Sequence, residues 1–312
     1  MSATRCGFVA LIGAPNAGKS TLINALIGAK VSIVSHKAQT TRATTRGILV
    51  EGAAQIVFVD TPGLFAPKRR LDRAMVASAW GAAGDADALA LLVDSRAEFA
   101  AGGPGEAGAR RLSEPTQAIL KTLGASRAPK FLVLNKIDLV ERPRLLALAQ
   151  GFDAALRFDD TFMIAALSGD GLDRLRRRLA AAMPEGPWLY PEDQIADAPM
   201  RALAAEITRE KLFDRLHDEL PYQATVETES LTDLPDGSAR VEQTIYVTRE
   251  SHKKIVIGER GQTIKAIGAA ARKEIADANE TPVHLFLFVK VREDWLDDPE
   301  RYRAMGLEFP KE

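Results

Sequence analysis

The stretch Gly13-Ala14-Pro15-Asn16-Ala17-Gly18-Lys19-Ser20 has two glycines flanking four residues, then lysine and a hydroxyl. That spacing suits a phosphate cradle. Small residues let the chain wrap an oxyanion so that backbone N–H groups from Gly13 to Thr21 point inward, at the start of a helix whose dipole favours negative charge. Lys19 then supplies charge at the β and γ phosphates and Ser20 a hydroxyl to magnesium.

Two further motifs lie downstream. Asp60-Thr61-Pro62-Gly63 ends the apolar run QIVFV, where Asp60 is expected to hold magnesium through water and the Gly63 N–H to sense the γ phosphate. Asn135-Lys136-Ile137-Asp138 ends the run KFLVL. A carboxylate at Asp138 accepts two hydrogen bonds from the N1–H and exocyclic amine of guanine, a donor pair that adenine lacks. The Lys136 stem can lie along the base, Asn135 can tie this loop to the phosphate loop, and the Ala166 N–H can reach the guanine O6. Between the first two motifs, SHKAQTTRATTRG is polar and rich in threonine, and Thr41 is chosen over Thr40 as the hydroxyl that reaches magnesium. Lys19, Thr41 and Asp60 are therefore the expected catalytic set.

Leu64 follows Asp-Thr-Pro-Gly at the position where many GTPases carry a water-orienting glutamine. A leucine cannot do this, so slow intrinsic turnover is expected, with water placed by backbone, a monovalent cation or a partner. Arg42 and Arg46 are expected in solvent or facing RNA rather than catalytic.

These motifs require a particular scaffold. Near-continuous apolar runs at Gly7–Ile12, Gln55–Val59, Ala88–Val93, Lys130–Leu134 and Phe162–Ala165 alternate with helical stretches, which predicts a mostly parallel sheet covered on both faces. A strand at Gly47–Val50 is expected to hairpin onto the next. Residues 97–113, rich in alanine and glycine, read as an exposed loop. The domain spans 1–182. Four prolines among acidic residues make 183–200 a connector, with Trp188 and Tyr190 pinning it against a domain.

Residues 201–312 read as a smaller α+β domain. A helix is expected over 201–220, then two alternating strands joined through Leu-Pro-Asp-Gly, a short helix, a glycine loop, a long helix and a last strand. The glycine loop, Gly258-Glu259-Arg260-Gly261, fits the clamp that KH domains place on single-stranded nucleic acid, RNA before DNA. Lys253, Lys254 and Lys265 flank it. Between Arg249 and Glu274 there are seven basic residues and three acidic ones, although the chain carries a net charge of -1. A local RNA-facing patch is the result. A protein-docking second domain and a nucleotide-binding factor without turnover are the rival readings.

With 312 residues, 46% of them apolar and 27% charged, the chain has the mix of a soluble globular protein. Neither a signal peptide nor a membrane-spanning run is expected. Its four histidines and single Cys6 have no zinc-like spacing.

Taken together, KAQTTR (Lys37–Arg42), PEGPWLYPEDQIAD, EITREKLFDRLHDELPY (Glu206–Tyr222) and KKIVIGERGQTIKAIG resemble the Era family of GTPases over nearly the whole length. The resemblance implies an α/β GTP-binding domain followed by a type II KH domain, Mg2+ as cofactor, and potassium held with the help of Asn16. It also implies binding of GTP and GDP, single-stranded small-subunit ribosomal RNA near its 3′ end and the precursor subunit. A monomer is expected, in the cytoplasm with a peripheral membrane pool. Ala165 departs from the serine usual in the family's closing loop, and residues 100–109 are longer and richer in glycine than is usual.

Overall fold

The computed structural model describes residues 3–35, 37, 40–102 and 112–310. It divides into two compact units, residues 1–31 and 41–197 with the last three residues, and residues 32–40 with 198–309.

The first unit runs β1 (Arg5–Ile12), α1 (Lys19–Ile27), β2 (Thr45–Glu51), β3 (Ala54–Asp60), α2 (Arg70–Asp85), β4 (Ala88–Asp94), α3 (Ser95–Ala100), α4 (Glu114–Leu123), β5 (Lys130–Asn135), α5 (Arg142–Ala155), β6 (Asp160–Met163) and α6 (Leu172–Ala182). Its sheet has the order β2-β3-β1-β4-β5-β6. Every neighbouring pair is parallel except β2 and β3. The apolar runs are continuous because both faces are covered. Successive residues of β1 show this: Val9 and Leu11 join Leu22, Leu26, Leu175 and Leu179 from α1 and α6, whereas Ala10 and Ile12 join Ala79, Ile119, Leu148 and Phe152 from α2, α4 and α5.

Residues 97–100 correct the reading of 97–113 as exposed loop, since they complete α3 and bury Glu98 and Phe99. Glu98 accepts hydrogen bonds from the Ser113 N–H at 2.5 Å, Ser113 Oγ at 2.9 Å and Thr116 Oγ1 at 2.8 Å. A carboxylate at the start of α4 meets donors that the helix itself cannot satisfy, and this closes the base of the insertion. Residues 103–111 lie outside the described residues.

Residues 183–197 are laid along the first unit. Gln55, fully buried in β3, accepts from the Leu189 and Tyr190 N–H groups at 2.9 and 3.0 Å and donates to the Tyr190 carbonyl at 2.8 Å. Trp188 Nε1 donates to the Ala53 carbonyl at 3.2 Å, and the Tyr190 hydroxyl donates to Asp197 at 2.8 Å.

The second unit runs α7 (Met200–Arg215), β7 (Ala224–Asp233), β8 (Ala239–Val247), α8 (Glu250–Ile257), α9 (Gln262–Asn279), β9 (Val283–Val291) and α10 (Pro299–Ala304). Its sheet has the order β7-β8-β9, with β7–β8 antiparallel across the Leu-Pro-Asp-Gly turn and β8–β9 parallel. The apolar stripes of α7 and α9 cover one face through Leu212, Ile267 and Ile275, while His284, Phe286, Phe288 and Lys290 stand exposed on the other. α7 is shorter than expected. Leu216 turns extended, Asp218 adopts φ 52° and Pro221 opens the next turn, so His217 lies beyond the helix. Among the described residues, no helix is long and apolar enough to cross a membrane.

Candidate nucleotide site and glycine loop

The parallel register gathers the first unit's motifs at one edge. β1 and β3 run level as far as Leu11 and Asp60, and β4 and β5 as far as Asp94 and Asn135, so their carboxyl ends share a rim. Ligands of open α/β sheets bind outside that rim. The antiparallel β2 brings its own start there, because Thr45 pairs with Asp60. Thr41 therefore arrives at the rim from the opposite chain direction.

Three oxygens converge. Ser20 Oγ donates to Asp60 Oδ2 at 2.7 Å and lies 3.2 Å from Thr41 Oγ1. Two cis ligands of an octahedral magnesium stand about 2.9 Å apart, given metal–oxygen bonds of about 2.1 Å. The Ser20–Thr41 spacing and the oxygen chemistry fit that ion, with Asp60 close enough to reach it through water and room left for substrate phosphates. Thr40 points elsewhere, its hydroxyl donating to the Lys37 carbonyl at 2.8 Å.

The phosphate loop is braced from two sides. Asn135 Nδ2 donates to the Ala17 carbonyl at 2.9 Å, and Lys136 Nζ donates to the Asn16 carbonyl at 3.0 Å. On the other side, the Leu64 N–H donates to the Gly13 carbonyl at 3.0 Å. Gly63 packs so closely on Pro15 that an added Cβ would lie 2.8 Å from the Pro15 Cα. A side chain at 63 would have to push the phosphate loop aside.

Lys19 is buried and donates to the Gly13 and Ala14 carbonyls, each at 3.1 Å. Burial lowers its pKa from 10.5 to about 8, opposed by the nearby charge of Asp60. An ammonium buried this way is suited to receive a polyanion. Asp138 is exposed, just past Lys136 and Ile137. The Ala166 N–H donates to Asn135 Oδ1 at 3.0 Å, so a base oxygen would have to share or displace that acceptor.

One of the two arginines departs from expectation. Arg42 is only 4% exposed, rather than solvated or facing a partner. Arg46 is half-exposed and pairs with Asp197 at 3.0 Å, its guanidinium over the Phe8 ring. Asp94 was not singled out from the sequence, yet it ion-pairs with Lys136 at 2.6 Å. Its position at the end of the run LALLV, matching Asp60 after QIVFV, is the signal that marks it.

In the second unit, α8 ends where the glycine loop begins and α9 starts at its close. Gly258 has φ 74°, Arg260 φ 51° and Gly261 φ 77°. A Cβ on Gly258 would lie 2.2 Å from Thr263 Oγ1, so neither the dihedral nor the space admits a side chain. Left-handed Arg260 is a strained non-glycine residue, held out at the loop tip. Glu259, Arg260, Lys254 and Lys265 are exposed and Lys253 is half-buried, 3.9 Å from Glu250. Ile255 is 55% exposed beside them, an apolar surface next to a basic one.

Residues 8–136 match the family described as 50S ribosome-binding GTPase, and residues 219–296 match the KH domain. The class is thus a phosphate-loop GTPase that carries a KH domain. The GTPase Era of Afipia carboxidovorans is 66% identical over 309 residues, covering 99% of this chain and 96% of that one. The GTPase Era of Brucella suis is 61% identical over 98% of this chain and 94% of its own. Among solved structures, Aquifex aeolicus Era bound to GDP and AlF4 superposes with a TM-score of 0.88 at 35% identity, over 97% of this chain and 99% of that one. Era in complex with MgGDPNP and nucleotides 1506–1542 of 16S ribosomal RNA gives 0.86 at 35% identity, over the same shares. The chain belongs to the Era family of GTPases.

Proposed function

We propose that this GTPase binds single-stranded small-subunit ribosomal RNA near its 3′ end and assists maturation of the small ribosomal subunit. The supporting observation is one chain with two shaped sites. The first has hydroxyl and carboxylate oxygens at magnesium spacing beside a phosphate loop tied to the Asn135–Asp138 loop. The second is a left-handed glycine loop with exposed Lys254, Arg260 and Lys265 around it. A related protein of 35% identity is known in complex with the corresponding 16S RNA segment.

In this reading Gly13 to Thr21 and the Gly63 N–H take the phosphates, while Ser20, Thr41 and Asp60 hold Mg2+. The ion would neutralise charge that builds on the β and γ phosphates during transfer. Asn135, Lys136, Asp138 and Ala166 enclose the base, and Lys253, Lys254, Gly258, Glu259, Arg260, Gly261 and Lys265 take the RNA. Asn16, exposed at φ 62° at the crest of the phosphate loop, is placed to help a potassium ion serve where Leu64 cannot. Hydrolysis faster in K+ than in Na+ at equal ionic strength is the expected sign.

The deciding experiment measures GTP hydrolysis with and without a short RNA matching the small-subunit 3′ end, in the intact protein and a Gly258→Asp, Gly261→Asp variant. RNA is expected to raise the rate several-fold in the intact protein alone. RNA that binds without changing the rate would leave a switch and a tether. Failure to bind RNA would put a protein-docking role ahead.

A further inference from the structure

Neighbouring residues of a strand point to opposite faces, yet Asn135 and Lys136 both reach the phosphate loop. The backbone at Lys136 makes this possible, since φ 60° turns the chain out of β5 into the left-handed region. A residue with a side chain stays there only where its surroundings over-determine it. For Lys136 the Asn16 carbonyl and the Asp94 carboxylate supply that hold.

Asp94 ends β4 and pairs in register with Asn135, the residue before that turn. Its two oxygens have separate tasks. Oδ1 accepts from the Ala97 N–H at 3.0 Å and caps α3, while Oδ2 lies 2.6 Å from Lys136 Nζ. With Oδ1 committed to the helix, Oδ2 is left in a fixed place. Behind it α3 is anchored in turn, by buried Phe99 beneath the Arg144 guanidinium at 4.7 Å and by Glu98 on Ser113 and Thr116. All of these residues belong to the first unit.

We infer that Asp94 is a positioning residue for Lys136 and, through it, for the guanine base. It holds Lys136 Nζ between itself and the Asn16 carbonyl, so the four-carbon stem is laid out before the base arrives. Little rotamer freedom is then left to lose on binding. The base is common to GTP and GDP, so Asp94 supports affinity for both alike and does not set the preference between them. This rests on the role given to Lys136 in the proposed function.

The test measures equilibrium affinities of the full-length protein for GDP and for GDPNP, both with Mg2+, beside thermal melts without nucleotide. Asp94→Asn separates the two oxygens. Asparagine caps a helix as well as aspartate does, and with its Oδ1 on Ala97 it turns an amide donor toward the ammonium. The ion pair is 18% exposed at Asp94 and 33% at Lys136, so its loss is expected to leave the melt in place. Both nucleotides are expected to bind about 5-fold more weakly, the scale of freeing one long side chain. The sign is diagnostic, because removing a negative charge near a polyphosphate would by itself strengthen binding. Affinity unchanged or raised, or lost for one nucleotide alone, would overturn the inference. Should Asp94→Asn lose its cooperative melt, Asp94→Ser, which caps without reaching the lysine, takes its place with the same expected losses. Lys136→Met separates the two layers. Asp94→Asn added to it is expected to weaken binding no further, and a second loss of about 5-fold would overturn the inference. If Lys136→Met alone binds both nucleotides as the parent does, the role of Lys136 fails and the inference falls with it; if it weakens both while Asp94→Asn does not, only the role of Asp94 fails.

Discussion

Asparagine in place of Asp138 is expected to move the nucleotide preference from guanine toward xanthine. The carboxylate of Asp138 offers only acceptors, which match the N1–H and exocyclic amine of guanine. Xanthine carries a carbonyl where guanine has the amine, and the asparagine side chain has an amide donor to meet it. A site built to pair a polar edge discriminates strongly, because the wrong partner leaves buried groups unmatched. Affinity for GTP is expected to fall by roughly 10³-fold and affinity for xanthosine triphosphate to rise, both read by competition against a fluorescent nucleotide. The change leaves the scaffold alone: Asn135 and Lys136 hold the phosphate loop, and Asp138 is exposed. Equal loss of both nucleotides would show that the loop had collapsed and that base pairing was not being read.

Methionine at position 19 is expected to abolish hydrolysis and to stabilise the nucleotide-free protein. Lys19 sits within the phosphate loop, and loss of one preorganised charge donor lowers turnover by about 10²- to 10³-fold or more. Phosphate release under multiple turnover measures that arm. The stability arm follows from the depressed pKa of about 8. Between that value and 10.5 the unfolded chain binds more protons than the folded one, so stability rises with pH across this window. Below pH 8 the full cost of a buried ammonium is present. Removing it is expected to raise stability at pH 7 by up to roughly 3 kcal/mol, less what the two carbonyl hydrogen bonds contribute. It should also flatten the rise between pH 8 and 10.5. Denaturant melts of nucleotide-free protein at pH 7 and 10 check both, and a less stable variant with an unchanged pH slope would contradict the account.

Local chemistry explains what the sequence made legible. Motifs such as Gly13–Ser20, Asp60–Gly63 and Asn135–Asp138 each follow an apolar run, so the parallel sheet and its rim could be read together. The glycine loop at Gly258–Gly261 was readable for the same reason, since its left-handed dihedrals demand glycine at both ends. Contacts between residues distant in sequence were not. Gln55 looks like an ordinary strand residue until residues 188–190 are laid against it. Glu98 lies in a stretch without apolar period, and only Ser113 and Thr116 reveal why it is buried. Arg209 and Glu210 sit in a run of charges that reads as a solvated helix face, because nothing local says that Val34 and Thr40 will meet them.

Leu64 is 3% exposed and belongs to the core beneath the sheet, with Ile12 and Leu91. A side chain committed to the interior does not swing out to organise water when nucleotide arrives. Even GTPases that carry a glutamine there hydrolyse unaided at only about 10⁻⁴ to 10⁻³ per second. Left to itself, the protein is expected to dwell in its triphosphate state for times on the order of an hour. When hydrolysis occurs is then expected to be set by whichever ion or partner completes the site.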